Sequence, residues 1–224
     1  MAIDATVVIG SGTMGRGIAQ VAATAGLSVW VYDTIAAQLA GAQKEIEKSL
    51  GKLVEKGKLP AATADAAKAN LKMCASLDEA DWPKVGIVIE AIYENFDAKV
   101  ALYQEAQKRL KPDAILASNT SSISITKLAA ATDRPAKFIG MHFFNPVPLM
   151  TLVEVIRGLQ TDDATTETVT ALAKRMGKNP LPCNDSPGFV SNRVLMPMIN
   201  EAAFALMEGI AEPTTIDEIM KQGC

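Results

Sequence analysis

The chain has 224 residues, 49% of them hydrophobic, with a formal net charge of -3. That is enough apolar material for a buried core, which excludes a disordered chain, and a weak charge without blocks of one sign argues against nucleic acid or an anionic membrane as partner. Three scattered cysteines, Cys74, Cys183 and Cys224, lack metal-ligand spacing and point to a reducing compartment rather than a disulfide framework or zinc site.

The N-terminus has no basic stretch before its first strand, and no apolar run approaches the ~20 residues of a membrane helix, so a cytoplasmic protein without a transmembrane segment is expected. The first apolar run, "ATVVIG", leads into a helical pattern from Met14 to Ala25, and "LSVWVYD" leads into a long charged helix to about Lys56. "VGIVIEAI" precedes a helix over Phe96 to Leu110, and "AILASNTS" precedes a short one. Short apolar strands alternating with helices predict an α/β fold, a doubly wound, mostly parallel sheet of the Rossmann type. After Lys137 two strand-like runs, "KFIGMHFF" and "LVEVIRG", are joined by the proline-rich "NPVPLMT" and followed by a helix near Asp163 to Met176 and a strand near "NPLPCN". From "DSPGFV" onward only helices are expected, with Pro187 in a first turn and Thr214 or Thr215 capping the last helix before a stop at Gly223. A boundary near Asp185 divides the chain into a Rossmann-type domain, 1–185, and the start of an all-helical C-terminal domain, 186–224. Two helices are too few to enclose a core, so the second domain reads as truncated.

"VVIGSGTMGRGIAQ" places Gly10, Gly12 and Gly15 as G-x-G-x-x-G between a strand and a helix. The spacing assigns a tight turn to Gly10, close approach of the backbone to a pyrophosphate to Gly12, and helix-to-strand packing to Gly15. Thr13 and Met14 open the helix whose N-terminus faces the phosphates. The motif is weak alone and is strengthened by Asp33 at the end of the second strand, where a carboxylate accepts hydrogen bonds from ribose hydroxyls. No arginine follows in "YDTIAAQ" to meet a 2'-phosphate, so NAD is expected rather than NADP.

"GMHFFNPVPLM" holds the only histidine, His142. A nicotinamide dehydrogenase needs a base for the alcohol proton, and a histidine with an ordinary pKa of ~6.5 serves at neutral pH. Glu154, inside the apolar run "LVEVI", is costly to bury unpaired, and an imidazole is a suitable partner that the carboxylate would orient. Spacing alone does not bring the two together, and a satisfied core histidine with an edge-strand glutamate fits these residues equally. Lys44, Lys48, Lys52 and Lys56 recur at intervals of four among Glu45, Glu47 and Glu55, which taken alone describes a solvated helix face.

In order and separation, "GSGTMGRGIAQ", "VIEAIYEN", "ASNTSS", "GMHFFNPVPLMTLVEV" and "DSPGFVSNR" resemble the 3-hydroxyacyl-CoA dehydrogenase family, particularly its bacterial 3-hydroxybutyryl-CoA members, over essentially the whole chain. The resemblance implies that His142 is the acid/base and Glu154 its orienting acid, that Ser121 touches substrate and nicotinamide, and that Asn192 lies on the substrate side. By the same resemblance Glu90 and Asn145 line the cofactor side, and Ser49 and Lys56 contact CoA. The implied reaction is reversible oxidation of a short-chain (3S)-3-hydroxyacyl-CoA to 3-oxoacyl-CoA by NAD, without a metal. Two alternatives are a non-catalytic dinucleotide-binding protein retaining the fold, and another 3-hydroxyacid dehydrogenase sharing the glycine loop, which "HFFNP" disfavours. Family members continue past Gly223 and Cys224 through helices that form most of the dimer contact and close the acyl pocket. The resemblance thus implies a homodimer whose contact the shortened chain lacks, and a helix from Gly188 to Met207 with an exposed apolar face.

Overall fold

The computed structural model describes residues 3–224. Strands β1 (Ala5–Ile9), β2 (Ser28–Tyr32), β3 (Leu71–Cys74), β4 (Ile87–Glu90), β5 (Ile115–Ser118), β6 (Phe138–Phe143), β7 (Leu152–Arg157) and β8 (Asn179–Asn184) form one sheet in the order β3-β2-β1-β4-β5-β6-β7-β8. The strands from β3 to β6 pair in parallel, β7 runs antiparallel to β6, and β8 follows β7 in parallel. Between them lie helices α1 (Thr13–Thr24), α2 (Ala36–Glu55), α3 (Ala61–Ala69), α4 (Phe96–Gln107), α5 (Ile125–Ala130) and α6 (Asp163–Arg175). Every residue of β1, β4 and β5 is buried, as required of parallel strands covered by helices on both faces. The doubly wound, mostly parallel architecture is therefore the one its aliphatic runs predict.

Local chemistry explains the places of α2 and β8. In α2 only Leu39, Ala42, Ile46 and Leu50 are buried, a stripe of helical period that packs inward and leaves the lysines outside. "NPLPCN" forms β8 at the end of the sheet, where prolines that cannot donate to a further ladder are tolerated.

Three features differ from expectation. Helix α3 and strand β3 were not foreseen: α3 is alanine-rich, buries only Ala64 and Ala67, and β3 is a four-residue edge strand whose Lys72 is exposed. Helix α7 (Ser191–Met207) starts after Pro187, because Gly188 (φ 77) and Phe189 (φ 48) take left-handed backbone that no helix continues through. Helix α8 (Pro213–Gly223) is preceded by Glu212 without a side-chain cap; Pro213, lacking an N–H, occupies the first turn, and Thr214 and Thr215 lie inside the helix.

Residues up to Asp185 form one compact unit and Ser186–Cys224 a second. The first holds the core, centred on β1, β2, β4 and α1 through Val8, Ile18, Val29, Val31, Ile87 and Ile89. In the second, α7 and α8 pack on one another, no residue of either is buried, and Val194, Leu195, Met198, Ile199 and Phe204 are exposed. Among the described residues no helix is long and apolar enough to cross a membrane.

Candidate active site

The strand order reverses between β1 and β4, and in such sheets the crevice at the carboxyl ends of the strands is where ligands bind. The glycine loop occupies that position. Gly10 has φ 98, and a Cβ there would stand 2.5 Å from the carbonyl oxygen of Ala91; one on Gly15 would stand 1.7 Å from the carbonyl oxygen of Gly10. Neither position accepts a side chain. Gly12 differs: it precedes α1, has no side-chain cap, and nothing lies within 4 Å of where its Cβ would be. An open face at the N-terminus of α1, beside Thr13 and Met14, fits a pyrophosphate that must approach backbone N–H groups closely.

Asp33 follows β2. Its Oδ2 accepts hydrogen bonds from Ser11 N and Ser11 Oγ, both at 2.8 Å, and its Oδ1 accepts one from Ile35 N at 3.0 Å. Burial pushes this carboxyl up, but the donors of Ser11 and Ile35 outweigh it and hold the group below the usual carboxylate range. Asp33 is therefore ionised at neutral pH and has acceptor capacity for a ribose hydroxyl. Because the folded-state pKa lies below the unfolded one, its contribution to stability is complete above about pH 5 and is lost as pH falls through the folded value. An Asp33→Asn variant should lose less stability than the parent between about pH 5 and pH 3 in thermal melts, and bind NADH more weakly at neutral pH.

The antiparallel register of β6 and β7 sets His142 directly opposite Glu154. Imidazole Nδ1 lies 2.8 Å from Glu154 Oε2, with the two side chains only 9% and 5% exposed. An ionised carboxylate only accepts, so opposite one this contact puts a proton on Nδ1 and makes Nε2 the acceptor nitrogen of the neutral ring. The Phe144 ring sits 4.6 Å from the imidazole, and Phe143 N donates to Asn119 Oδ1 at 2.9 Å, tying this strand to the end of β5.

Past β5, Ser121 belongs to a loop held by one carboxylate. Glu94 Oε1 accepts from Thr120 Oγ1, from Ser121 N at 2.9 Å and from Ser122 Oγ at 3.1 Å. Burial raises the Glu94 pKa, but the Thr120 hydroxyl and the charge and hydrogen bond of Lys99 bring it below the usual range. Behind it, Glu90 has no exposed surface. Its Oε1 accepts from Lys99 Nζ at 2.5 Å and Ile92 N at 2.8 Å, and its Oε2 from Tyr103 Oη and Ser118 Oγ, each at 2.6 Å. Lys99 Nζ also lies 3.2 Å from Glu94 Oε2. Glu90 therefore does not line the cofactor side as expected. The β4–β5 register pairs it with Ser118, α4 covers it, and its four donors occupy both oxygens. Burial and the Glu90 charge push the Tyr103 phenol far above its ordinary pKa, so it stays a donor. Glu94 is the acid that the sequence reading did not single out, although it stands in the same "EAIYEN" stretch.

A cavity of about 380 Å³ lies where α1, α2 and the loop after β6 converge. Ser49 and Lys56 line it together with Arg16, Lys48, Lys52 and Lys58, and residues 145–149 line it as well. Lys48, Lys52 and Lys56 thus stay exposed, as on a solvated face, while lining a concave, mainly basic site that Glu45 shares. Asn145 shares this cavity with Thr13. Asn192 lies in the first turn of α7, in the second unit.

The pattern described as "3-hydroxyacyl-CoA dehydrogenase, NAD binding domain" matches residues 5–186, and the corresponding C-terminal domain matches residues 188–224. The chain is 56% identical over 217 residues to a probable 3-hydroxybutyryl-CoA dehydrogenase of Deinococcus radiodurans, covering 96% of this chain and 77% of that protein. It is 48% identical over 223 residues to a probable 3-hydroxybutyryl-CoA dehydrogenase of Bacillus subtilis, covering 100% of this chain and 77% of the relative. The crystal structure of (S)-3-hydroxybutyryl-CoA dehydrogenase from Ralstonia eutropha superposes with a TM-score of 0.95 at 50% identity, over 100% of this chain and 78% of that one.

Proposed function

The chain belongs to the 3-hydroxyacyl-CoA dehydrogenase family, and from that premise we propose that His142 is the acid/base in its NAD-dependent interconversion of 3-hydroxyacyl-CoA and 3-oxoacyl-CoA. The observation that carries this reading is the buried Nδ1···Oε2 contact of 2.8 Å between His142 and Glu154. When bound, NAD supplies the hydride acceptor for the carbinol carbon. His142 Nε2 takes the hydroxyl proton as the carbon–hydrogen bond breaks and the carbonyl forms, and Glu154 stabilises the resulting imidazolium through Nδ1–H. In the reducing direction His142 returns that proton to the new alkoxide oxygen.

The other residues have positioning and binding roles in this reading. The open face at Gly12 and the N-terminus of α1, with Thr13 and Met14, hold the pyrophosphate, and Asp33 holds the ribose. Ser121, with its backbone N–H fixed on Glu94, meets the substrate oxygen and nicotinamide, and Asn192 the thioester side. Ser49, Lys56 and the neighbouring cations, with Asn145 at the rim, receive the phosphates of CoA. The likeness to 3-hydroxybutyryl-CoA dehydrogenases favours a short acyl chain. The exposed apolar side chains of α7 favour a homodimer, and three unpaired cysteines a cytoplasmic location.

The test is NADH oxidation on adding acetoacetyl-CoA, with free acetoacetate as control. Turnover with the thioester alone is expected. NADH binding without turnover would establish instead a dinucleotide-binding protein that retains the fold, and turnover of the free acid would indicate a different hydroxyacid dehydrogenase.

A further inference from the structure

One buried cation has no place in the chemistry above. Lys178, between α6 and β8, is 9% exposed, and burial alone pushes its pKa down. Its described side-chain hydrogen bonds run from Nζ to the carbonyl oxygens of Val147 and, at 2.8 Å, Met150. Burying an ammonium is unfavourable unless its protons are satisfied, so the contact persists only while both carbonyls turn inward toward it.

Both carbonyls belong to the loop between β6 and β7. The same loop is gripped elsewhere on its inner side: Val147 is 2% exposed and packs on α1 at Gly17, where a Cβ would come within 2.8 Å of Val147 Cβ. Asn179 N donates to Thr151 O at 2.7 Å, and Leu149 N and Met150 N both donate to Pro146 O at 2.9 Å. Residues 145–149 of this loop also line the cavity, together with the basic residues of α1 and α2. The ammonium thus holds a loop whose residues line the basic cavity, without lining it itself.

We propose that Lys178 is a positioning residue for recognition of the CoA nucleotide, and that it sets the affinity for the thioester without entering the hydride step. The proposal rests on assigning the basic cavity to CoA. Its test uses the full chain with NADH and two substrates, acetoacetyl-CoA and acetoacetyl-pantetheine, the second lacking the nucleotide. Lys178→Met should raise KM for acetoacetyl-CoA about tenfold with kcat held within about twofold, the signature of lost binding common to ground and transition states. Its kcat/KM for acetoacetyl-pantetheine should stay within about twofold of the parent. Lys178→Gln, which keeps N–H donors on a shorter, uncharged chain, should fall between the two and serves alone if the methionine variant does not fold. An equal loss on both substrates, or no change on either, overturns the proposal while the cavity assignment stands. A parent that handles the two thioesters equally overturns the cavity assignment, and this proposal with it.

Discussion

Replacing His142 with alanine should reduce turnover by about 10²–10⁴-fold while NADH binding stays near that of the parent, the range lost when a positioned general acid/base is removed. His142 and Glu154 face one another across β6 and β7 and are both buried. The glycine loop and Asp33 come from β1, α1 and β2, and none of their hydrogen bonds among the described residues involves β6. Binding and chemistry should therefore separate. Glu154→Gln should have a smaller effect, since an amide oxygen still accepts from Nδ1–H but no longer stabilises the imidazolium. Steady-state rates with acetoacetyl-CoA and NADH fluorescence titrations measure the two quantities, and near-parental turnover in His142→Ala would remove this histidine from the mechanism.

Lys99→Met should destabilise the protein by about 3–5 kcal/mol, the usual result of leaving one partner of a buried ion pair unmatched. Lys99 is 1% exposed and bridges Glu90, which has no exposed surface, to the partly exposed Glu94. For a chain of this size the loss corresponds to a fall in Tm of roughly 10 °C. Adding Glu90→Gln should recover part of it, because the stranded charge is then gone. Turnover should also drop at temperatures where the variant stays folded, since Glu94 holds Thr120, Ser121 and Ser122 and depends on Lys99 for its charge balance. Denaturant and thermal unfolding provide the measurement; a change below about 1 kcal/mol would mean that the pair adds nothing beyond its neighbours.

Much of this arrangement is local and so is written along the chain. Aliphatic runs between helical periods specify strands covered on both faces, and G-x-G-x-x-G after such a run specifies the turn, because only glycine tolerates φ 98 at Gly10 and the approach of Gly10 O at Gly15. Asp33 follows from its distance to that loop. Where local signals are weak, the reading stops: α3 is carried by alanines and β3 by four residues, and neither presents enough apolar contrast to declare a period. The start of α7 was misplaced because Pro187 suits a first turn, while the left-handed backbone of Gly188 and Phe189 is not visible in residue types alone.

Residue order alone therefore carries the doubly wound, mostly parallel class, seven of the eight strands, the dinucleotide loop and the one histidine in the chain. Which side chains meet is set by long-range pairing. His142 touches Glu154 because β6 and β7 pair in one register; a slip of one residue would turn the two side chains to opposite faces. Glu90 is interior and Glu94 is at the loop because α4 closes over the end of β4, and Lys178 reaches Val147 and Met150 because β8 lies beside β7. Such contacts depend on strand register and helix placement, long-range quantities that no local pattern of apolar and polar residues encodes.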